Sequence, residues 1–145
     1  MSLQALLARF REAFPDRGEC VLRRDEQLSK VLTRKRVSAG YGVYVISAFR
    51  GSRGEPLYIG KAGTIQQDGR PKGQGIRKRL RMKQDGKRRA EYFQEVIRDR
   101  NLDGLHIEWL VTFGDARVPP FLAEAELLAT FFQEHGTLPA LNKTA

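Results

Sequence analysis

Two short segments rich in β-branched and aromatic residues constrain the fold of this chain most strongly. They are residues 42–49, "GVYVISAF", and residues 56–60, "PLYIG", with a glycine- and arginine-containing loop between them. This pattern predicts a β-hairpin. Because both faces of residues 42–49 are apolar, we expect a central strand that is covered on each side.

Beyond the hairpin, the hydrophobic pattern predicts further helices and one more strand. Residues 105–113 alternate well enough for a strand, whereas residues 75–84, 87–100 and 119–136 have helical spacing. The element order is therefore β-β-α-α-β-α, typical of an α+β fold. Residues 61–75 form a long polar loop rich in glycine, and such loops in compact domains are often functional.

The first 39 residues have a different pattern. Apolar residues recur at helical spacing from Leu3 to Phe14, and residues 24–37 can form a second, more charged helix. We therefore expect a helical N-terminal extension, residues 1–39, before a domain of residues 40–145. A chain of 145 residues is long enough to bury a sizeable core.

The positive charge of the chain is concentrated in one third of its length. Residues 50–100 contain 15 lysines and arginines against six acidic residues, an excess equal to the whole net charge of +9. Such a patch attracts polyanions, and nucleic acid is the first candidate. DNA is the expected partner, and the same charge suits RNA; a highly charged solvated surface is the alternative.

Several classes of protein are disfavoured by composition. No segment approaches the roughly 20 apolar residues of a membrane span, and the N-terminus lacks the features of a secretory signal, so we expect a cytoplasmic protein without a membrane partner. The single cysteine, Cys20, has no histidine nearby and is expected to be structural, as are His106 and His135.

Four residues around the hairpin have side chains suited to phosphodiester chemistry. A tyrosine hydroxyl, from Tyr44 or Tyr58, can orient or deprotonate a water if a positive charge such as Lys61 lowers its pKa. Arg79 can hold phosphate oxygens with its planar guanidinium. Packing of the tyrosines in the sheet and solvation of the basic residues are the alternatives.

A carboxylate on the last predicted helix is a candidate metal ligand. Glu124 shares its helix face with Phe121, Leu127, Leu128 and Phe131, and a carboxylate on an apolar face is costly unless paired. It could bind Mg²⁺ or form a partly buried salt bridge with an arginine. Glu126 has more polar neighbours and is the rival ligand.

Two motifs on the hairpin and three residues beyond it resemble the GIY-YIG nuclease superfamily. Residues 42–44, Gly-Val-Tyr, correspond to its first signature, and residues 58–61, Tyr-Ile-Gly-Lys, to its second. Three family positions follow in order: an arginine before leucine at Arg79, a glutamate with apolar residues three and four positions later at Glu124, and an asparagine soon after a proline at Asn142. The resemblance covers about residues 40–142.

The resemblance implies a small three-stranded antiparallel sheet flanked by helices and a DNA endonuclease with one Mg²⁺ or Mn²⁺. It implies that Tyr44 is the general base or water-orienting group, supported by Tyr58 and Lys61. It also implies that Arg79 binds the scissile phosphate, Glu124 binds the metal, and Asn142 shapes the site. Further phosphate contacts are expected from the basic run around Arg79, namely Arg77, Lys78, Arg81 and Lys83.

Three departures from the family pattern affect this assignment. The loop from Ala62 to Gly75 is longer than in the compact repair-type members and resembles the restriction-enzyme branch. Lys83 stands where many members have a histidine one turn after the arginine. The long stretch from Glu124 to Asn142 keeps Glu126 as the rival metal ligand.

Two other functions compete with the nuclease. The first is a non-catalytic nucleic-acid-binding module that keeps the fold and predicts salt-sensitive binding without a metal effect. The second is a protein-interaction domain that uses the N-terminal helices, which the localised charge disfavours. The sequence indicates neither the DNA target nor the oligomeric state.

Overall fold

The computed structural model describes residues 1–84 and 86–145, with the side chains of all of these except Lys83 and Gln84. The helices are α1 (Leu3–Ala13), α2 (Leu28–Arg34), α3 (Ile76–Arg79), α4 (Arg89–Asp99) and α5 (Pro120–His135). The strands are β1 (Arg17–Arg23), β2 (Gly42–Phe49), β3 (Arg53–Ala62), β4 (Thr64–Ile65), β5 (Pro71–Lys72), β6 (Lys83–Gln84), β7 (Lys87–Arg88) and β8 (Gly104–Val111).

One antiparallel sheet organises the molecule, with strand order β1-β8-β2-β3. The expected α+β class and the hairpin of β2 and β3 are confirmed. Seven of the eight residues of β2 are buried, as expected for a central strand with apolar side chains on both faces.

The sheet has four strands, so the expected three-stranded sheet is wrong. The additional strand, β1, lies between the two helices predicted for the N-terminal extension, and it pairs with β8 from Arg17↔Leu110 to Arg23↔Gly104. Its inward side chains, Cys20 and Leu22, alternate and are buried, which suits a strand with one covered face.

The two faces of the sheet have separate hydrophobic cores. One core lies under α2, α3 and α4 and contains Tyr44 and Ile46 of β2, whereas the other lies under α1 and α5 and contains Val43 and Val45. Residues 1–39 contribute to both cores and supply an outer strand. The N-terminal segment is therefore integral to the fold.

A buried ion pair holds α1 against the sheet. Arg11 donates Nε and Nη2 to the two carboxylate oxygens of Glu108 at 2.6 and 2.8 Å, and the Glu108 side chain is only 5% exposed. Arg53 of β3 lies 3.7 Å from the same carboxylate. This charge-assisted, bidentate contact fixes α1 over β8.

The segment between β3 and α4 contains less helix than predicted. The basic helix expected over residues 75–84 is limited to α3, and β6 and β7 pair at Lys83↔Arg88 and Gln84↔Lys87. Gly86, between β6 and β7, has φ 76°, which glycine adopts without steric cost. Within residues 1–84 and 86–145, no helix is long and apolar enough to cross a membrane.

Candidate functional site

The strand register places the two signature tyrosines on one face of the sheet. Tyr44 lies opposite Gly60 and Tyr58 opposite Ile46, so the tyrosines are diagonal neighbours. Their ring centroids are 6.0 Å apart with 28° between the ring planes. The two motifs therefore meet side by side.

The Tyr44 side chain is completely enclosed. It is 0% exposed, and Nη1 of Arg89 donates a hydrogen bond to its hydroxyl oxygen at 2.8 Å. Burial raises the pKa of Tyr44, and this is partly opposed by the positive charges of Arg89 and Arg79. In the free protein the phenol is therefore neutral at neutral pH and shielded from solvent.

Arg89 is a buried residue of this site that the sequence interpretation missed. Its guanidinium carbon lies 5.7 Å from the ring centroid of Tyr44, 5.5 Å from that of Tyr58 and 5.9 Å from that of Phe93. The spacing of α4 could have identified it, because position 89 shares a helix face with the inward residues predicted at 93, 96 and 97.

Glu124 lies half-buried on α5, as the apolar face around it predicted. Leu127, Leu128 and Phe131 of that face are buried, whereas Phe121 is 55% exposed. Burial raises the pKa of Glu124, and the positive charges of Lys61 and Arg79 oppose this. Among the described residues, Glu124 has no salt bridge or side-chain hydrogen bond.

Lys61 lies on the opposite sheet face from the tyrosines. It is paired with Val43, which belongs to the core under α1 and α5, and its charge acts on Glu124. The candidate site therefore extends around the edge strand β3, with the phenols on one side and Lys61 with Glu124 on the other.

The positive charge of Arg79 acts on groups on both sides of β3. It is half-buried on α3, and its positive charge lowers the pKa of both Tyr44 and Glu124. Its Nε is buried and has no hydrogen-bond partner among the described residues. An unpartnered guanidinium N–H can donate a hydrogen bond to an anionic oxygen.

Backbone contacts hold α3 at the beginning of β2. The N–H groups of Ile76 and Arg77 donate to the carbonyls of Gly40 and Ser38, both at 2.9 Å. A Cβ at Gly75 would overlap the carbonyl of Ala39, so glycine permits this close approach. The position of Arg79 is thereby linked to that of Tyr44, two residues after Gly42.

Asn142 binds the backbone of β3 at the free edge of the sheet. Its Oδ1 accepts from Ile59 N–H at 2.9 Å, and its Nδ2 donates to Ile59 C=O at 2.8 Å. Leu141 N–H donates to Leu57 C=O at 2.9 Å. The C-terminal segment thus covers the edge strand on which Tyr58 and Lys61 lie.

No family model, curated protein or solved structure matches this chain. The functional assignment therefore depends on the chemistry of the site and on the motif resemblance.

The rival ligand Glu126 lies away from the grouped residues. It is exposed and borders a surface cavity against α1 with Leu6, Arg9 and Phe10. Neither Lys61 nor Arg79 is among the residues that line that cavity. Glu124, and not Glu126, is therefore the carboxylate on which the charges of Lys61 and Arg79 act.

A basic cavity adjoins the site along α3. Its volume is about 570 Å³, and its lining includes Arg77, Lys78 and Arg81 together with residues 73–75. Arg77 also donates Nε to Val37 C=O at 2.7 Å, which fixes its side chain. Lys83, the fourth expected phosphate contact, has a side chain outside the described residues.

The cysteine and the two histidines are the residues that the sequence predicts to be structural. Burial raises the pKa of Cys20 to about 11, which keeps its thiol neutral. His106 is buried on β8, 3.4 Å from Glu19, and burial lowers its pKa. His135 lies in the last turn of α5, 3.5 Å from Glu134. Among the described residues, no group of three His, Cys, Asp or Glu side chains could hold a metal ion.

Proposed function

We propose that this protein is a metal-dependent DNA endonuclease that hydrolyses phosphodiester bonds. The observation that carries the proposal is the half-buried carboxylate of Glu124, which has no salt bridge among the described residues and feels the positive charge of Arg79. The stacked pair of Tyr44 and Tyr58 lies on the other side of β3. This combination provides a ligand for a cation, a donor for a phosphate oxygen and a phenol in one region. The motif resemblance supports the same reaction.

The donor chemistry of the site fits Mg²⁺ or Mn²⁺. Glu124 offers a carboxylate that no arginine or lysine of the described residues neutralises by a salt bridge, and oxygen is the ligand that both cations prefer. Water and a substrate phosphate would supply the other ligands. When bound, the cation would stabilise the negative charge that develops on the phosphate oxygens.

The residues of the chain have separate tasks in the proposed reaction. Arg79 binds the scissile phosphate, while Arg77, Lys78 and Arg81 contact neighbouring phosphates through the basic cavity. Asn142 keeps β3 in place and thereby positions Tyr58 and Lys61.

Tyr44 is the proposed general base. The buried phenol is neutral in the free protein, so it first has to lose its proton to solvent. The phenolate then takes a proton from a water, the water oxygen bonds to phosphorus, and the bond from phosphorus to the leaving oxygen breaks. The leaving oxygen takes a proton from solvent. Because the Tyr44 side chain has no exposed surface in the free protein, substrate binding has to uncover the hydroxyl.

A non-catalytic nucleic-acid-binding module is the second candidate. The enclosure of Tyr44 under Arg89 favours it, since a phenol held in this way does not contact water. The basic cavity alone would suffice for such a function. For either function we propose a cytoplasmic location, which suits the free, buried Cys20.

A supercoiled-plasmid nicking assay with Mg²⁺, Mn²⁺ or EDTA tests the proposal. We expect metal-dependent conversion to open circle by the wild type, loss of conversion in Glu124→Ala and Tyr44→Phe, and retention in Glu126→Ala. Loss in Glu126→Ala alone would move the metal to that residue. If the wild type cuts neither plasmid nor branched DNA but binds both in a salt-dependent manner, the binding module is the better assignment.

A further inference from the structure

Arg89 carries a buried positive charge that has no negative partner within residues 1–82 and 86–145. The residue is 3% exposed, and no carboxylate of the described residues forms an ion pair with it. Its Nε is also buried and unpartnered among these residues. A buried charge without compensation is costly, so proteins retain one where it has a task.

Among the described residues, the acidic group that this guanidinium hydrogen-bonds is the hydroxyl of Tyr44. Its Nη1 donates a hydrogen bond to the hydroxyl oxygen of Tyr44, and the rings of Tyr58 and Phe93 also lie against it. Aromatic faces attract a cation but cannot neutralise it. Deprotonation of Tyr44 would create an anion 2.8 Å from Nη1.

We propose that Arg89 is a positioning residue that holds the phenol oxygen of Tyr44 and stabilises negative charge on it. The interaction of Arg89 with Tyr44 does not depend on the proposed function, whereas its purpose does: it would let Tyr44 serve as a base. Arg89 is distinct from Arg79, whose charge acts on Glu124 as well as on Tyr44. In this proposal Arg89 acts on the phenol of Tyr44, whereas Arg79 binds phosphate.

The charges that face Tyr44 agree with this role. Burial raises its pKa, Arg89 lowers it by charge and by its hydrogen bond, Tyr58 raises it, and Arg79 lowers it by charge. Arg89 is thus the largest opponent of the burial effect. Arg89 lies in the first turn of α4, on the same helix face as Phe93, and this position places its guanidinium against the tyrosine pair.

Fluorine NMR of protein labelled with 3-fluorotyrosine measures the proposed interaction directly. Fluorination lowers the pKa of every phenol, which moves the titration toward pH values at which the protein remains folded. The chain has four tyrosines, and Tyr44→Phe identifies the resonance of Tyr44. We expect the pKa of fluorinated Tyr44 to rise in Arg89→Met and to rise less in Arg89→Lys, which keeps the charge.

Arg88→Met is the matched control, because Arg88 is adjacent but exposed and lies 3.8 Å from Glu91. It should leave the Tyr44 titration unchanged. An unchanged Tyr44 pKa in folded Arg89→Met would overturn the proposal. If neither Arg89 variant folds, the wild type decides: the Arg89 guanidinium ¹⁵N resonances should follow the Tyr44 titration and lose this response in Tyr44→Phe.

The nicking assay separates this inference from the proposed function. In an active enzyme, the acidic limb of the pH–rate profile should move to higher pH in Arg89→Met. At a fixed pH on that limb, the rate should fall about tenfold for each pH unit that the limb moves. A rate that falls equally at all pH values would assign Arg89 to folding alone. If the Tyr44 pKa responds to Arg89 and the wild type never cuts DNA, the nuclease proposal fails and the pairing stands.

Discussion

Gly60 lies directly opposite Tyr44 across the β2–β3 pair, and the phenol of Tyr44 occupies the space that a side chain at position 60 would fill. A Cβ built there comes within 2.6 Å of the Tyr44 Cζ, 2.7 Å of its hydroxyl oxygen and 2.7 Å of Tyr58 Cε2. The glycine of the second motif therefore makes room for the tyrosines of both motifs. This gives a physical reason for the pairing of the two signatures.

Gly60→Ala should displace both tyrosines and lower stability. Because the added methyl group would overlap two rings in a packed core, we expect a loss of about 1–3 kcal/mol in the free energy of unfolding. Urea denaturation measures the loss. Gly114→Ala is the control, since a Cβ there meets only Val111 at 3.6 Å; equal stability of the two variants would contradict the crowding at position 60.

Glu124→Gln should stabilise the protein while it removes metal-dependent activity. Burial raises the folded-state pKa of Glu124, so its ionised form costs stability at pH values above both the folded and unfolded pKa. We expect a gain of less than about 1 kcal/mol at pH 7 that disappears below the unfolded carboxyl pKa of about 4.3. Urea denaturation at pH 7 and at pH 3.5 tests this, with exposed Glu126→Gln as the control. A gain that persists at low pH would assign the effect to packing.

The basic cavity should determine the salt dependence of DNA binding. Lys78→Met and Arg81→Met should each reduce the slope of log K against log salt concentration by about 0.9, because each removes one phosphate contact. Fluorescence anisotropy with a duplex in EDTA measures the slope. Arg9→Met, beside Glu126 on the surface of α1, should leave it unchanged. If Lys78→Met and Arg81→Met kept the wild-type slope, the DNA would bind elsewhere on the protein.

Arg11→Met should destabilise the protein by leaving Glu108 buried without its main partner. We expect a loss of about 1–3 kcal/mol at pH 7, because the pair is partly buried and Arg53 remains near the carboxylate. The double variant Arg11→Met/Glu108→Gln should recover much of the loss, because it removes the charge that has lost its main partner. Thermal or urea denaturation compares the two. If the double variant is no more stable than the single one, the loss comes from the packing of α1.

The hairpin was predictable because its signal is local. Residues 42–49 match the bounds of β2, since valine, isoleucine, tyrosine and phenylalanine are enriched in strands. The inward face of α4 at Phe93, Val96 and Ile97 followed equally from helical spacing. Each of these signals comes from residues that lie close together in the chain.

β1 and Arg89 were missed for a different reason. β1 has few apolar residues, Cys20 and Leu22 among them, and its pairing with β8 depends on residues more than 80 positions away. Arg89 lies in a run of basic residues of which Lys87 and Arg88 are exposed, so composition indicated a solvated side chain. For β1, tertiary contacts overrode the local pattern, whereas for Arg89 the basic composition concealed a helical spacing that points inward.

The pairing of β1 with β8 has a consequence for how the protein forms in the cell. During synthesis, β1 leaves the ribosome long before the strand it pairs with, so the sheet cannot close until residues 104–111 have emerged. Until then the backbone of β1 lacks its hydrogen-bonded neighbour. A fragment that begins at Gly40 would leave β8, a strand buried along its whole length, as an open edge available to another chain. We therefore expect the N-terminal segment to limit self-association as well as to complete the sheet.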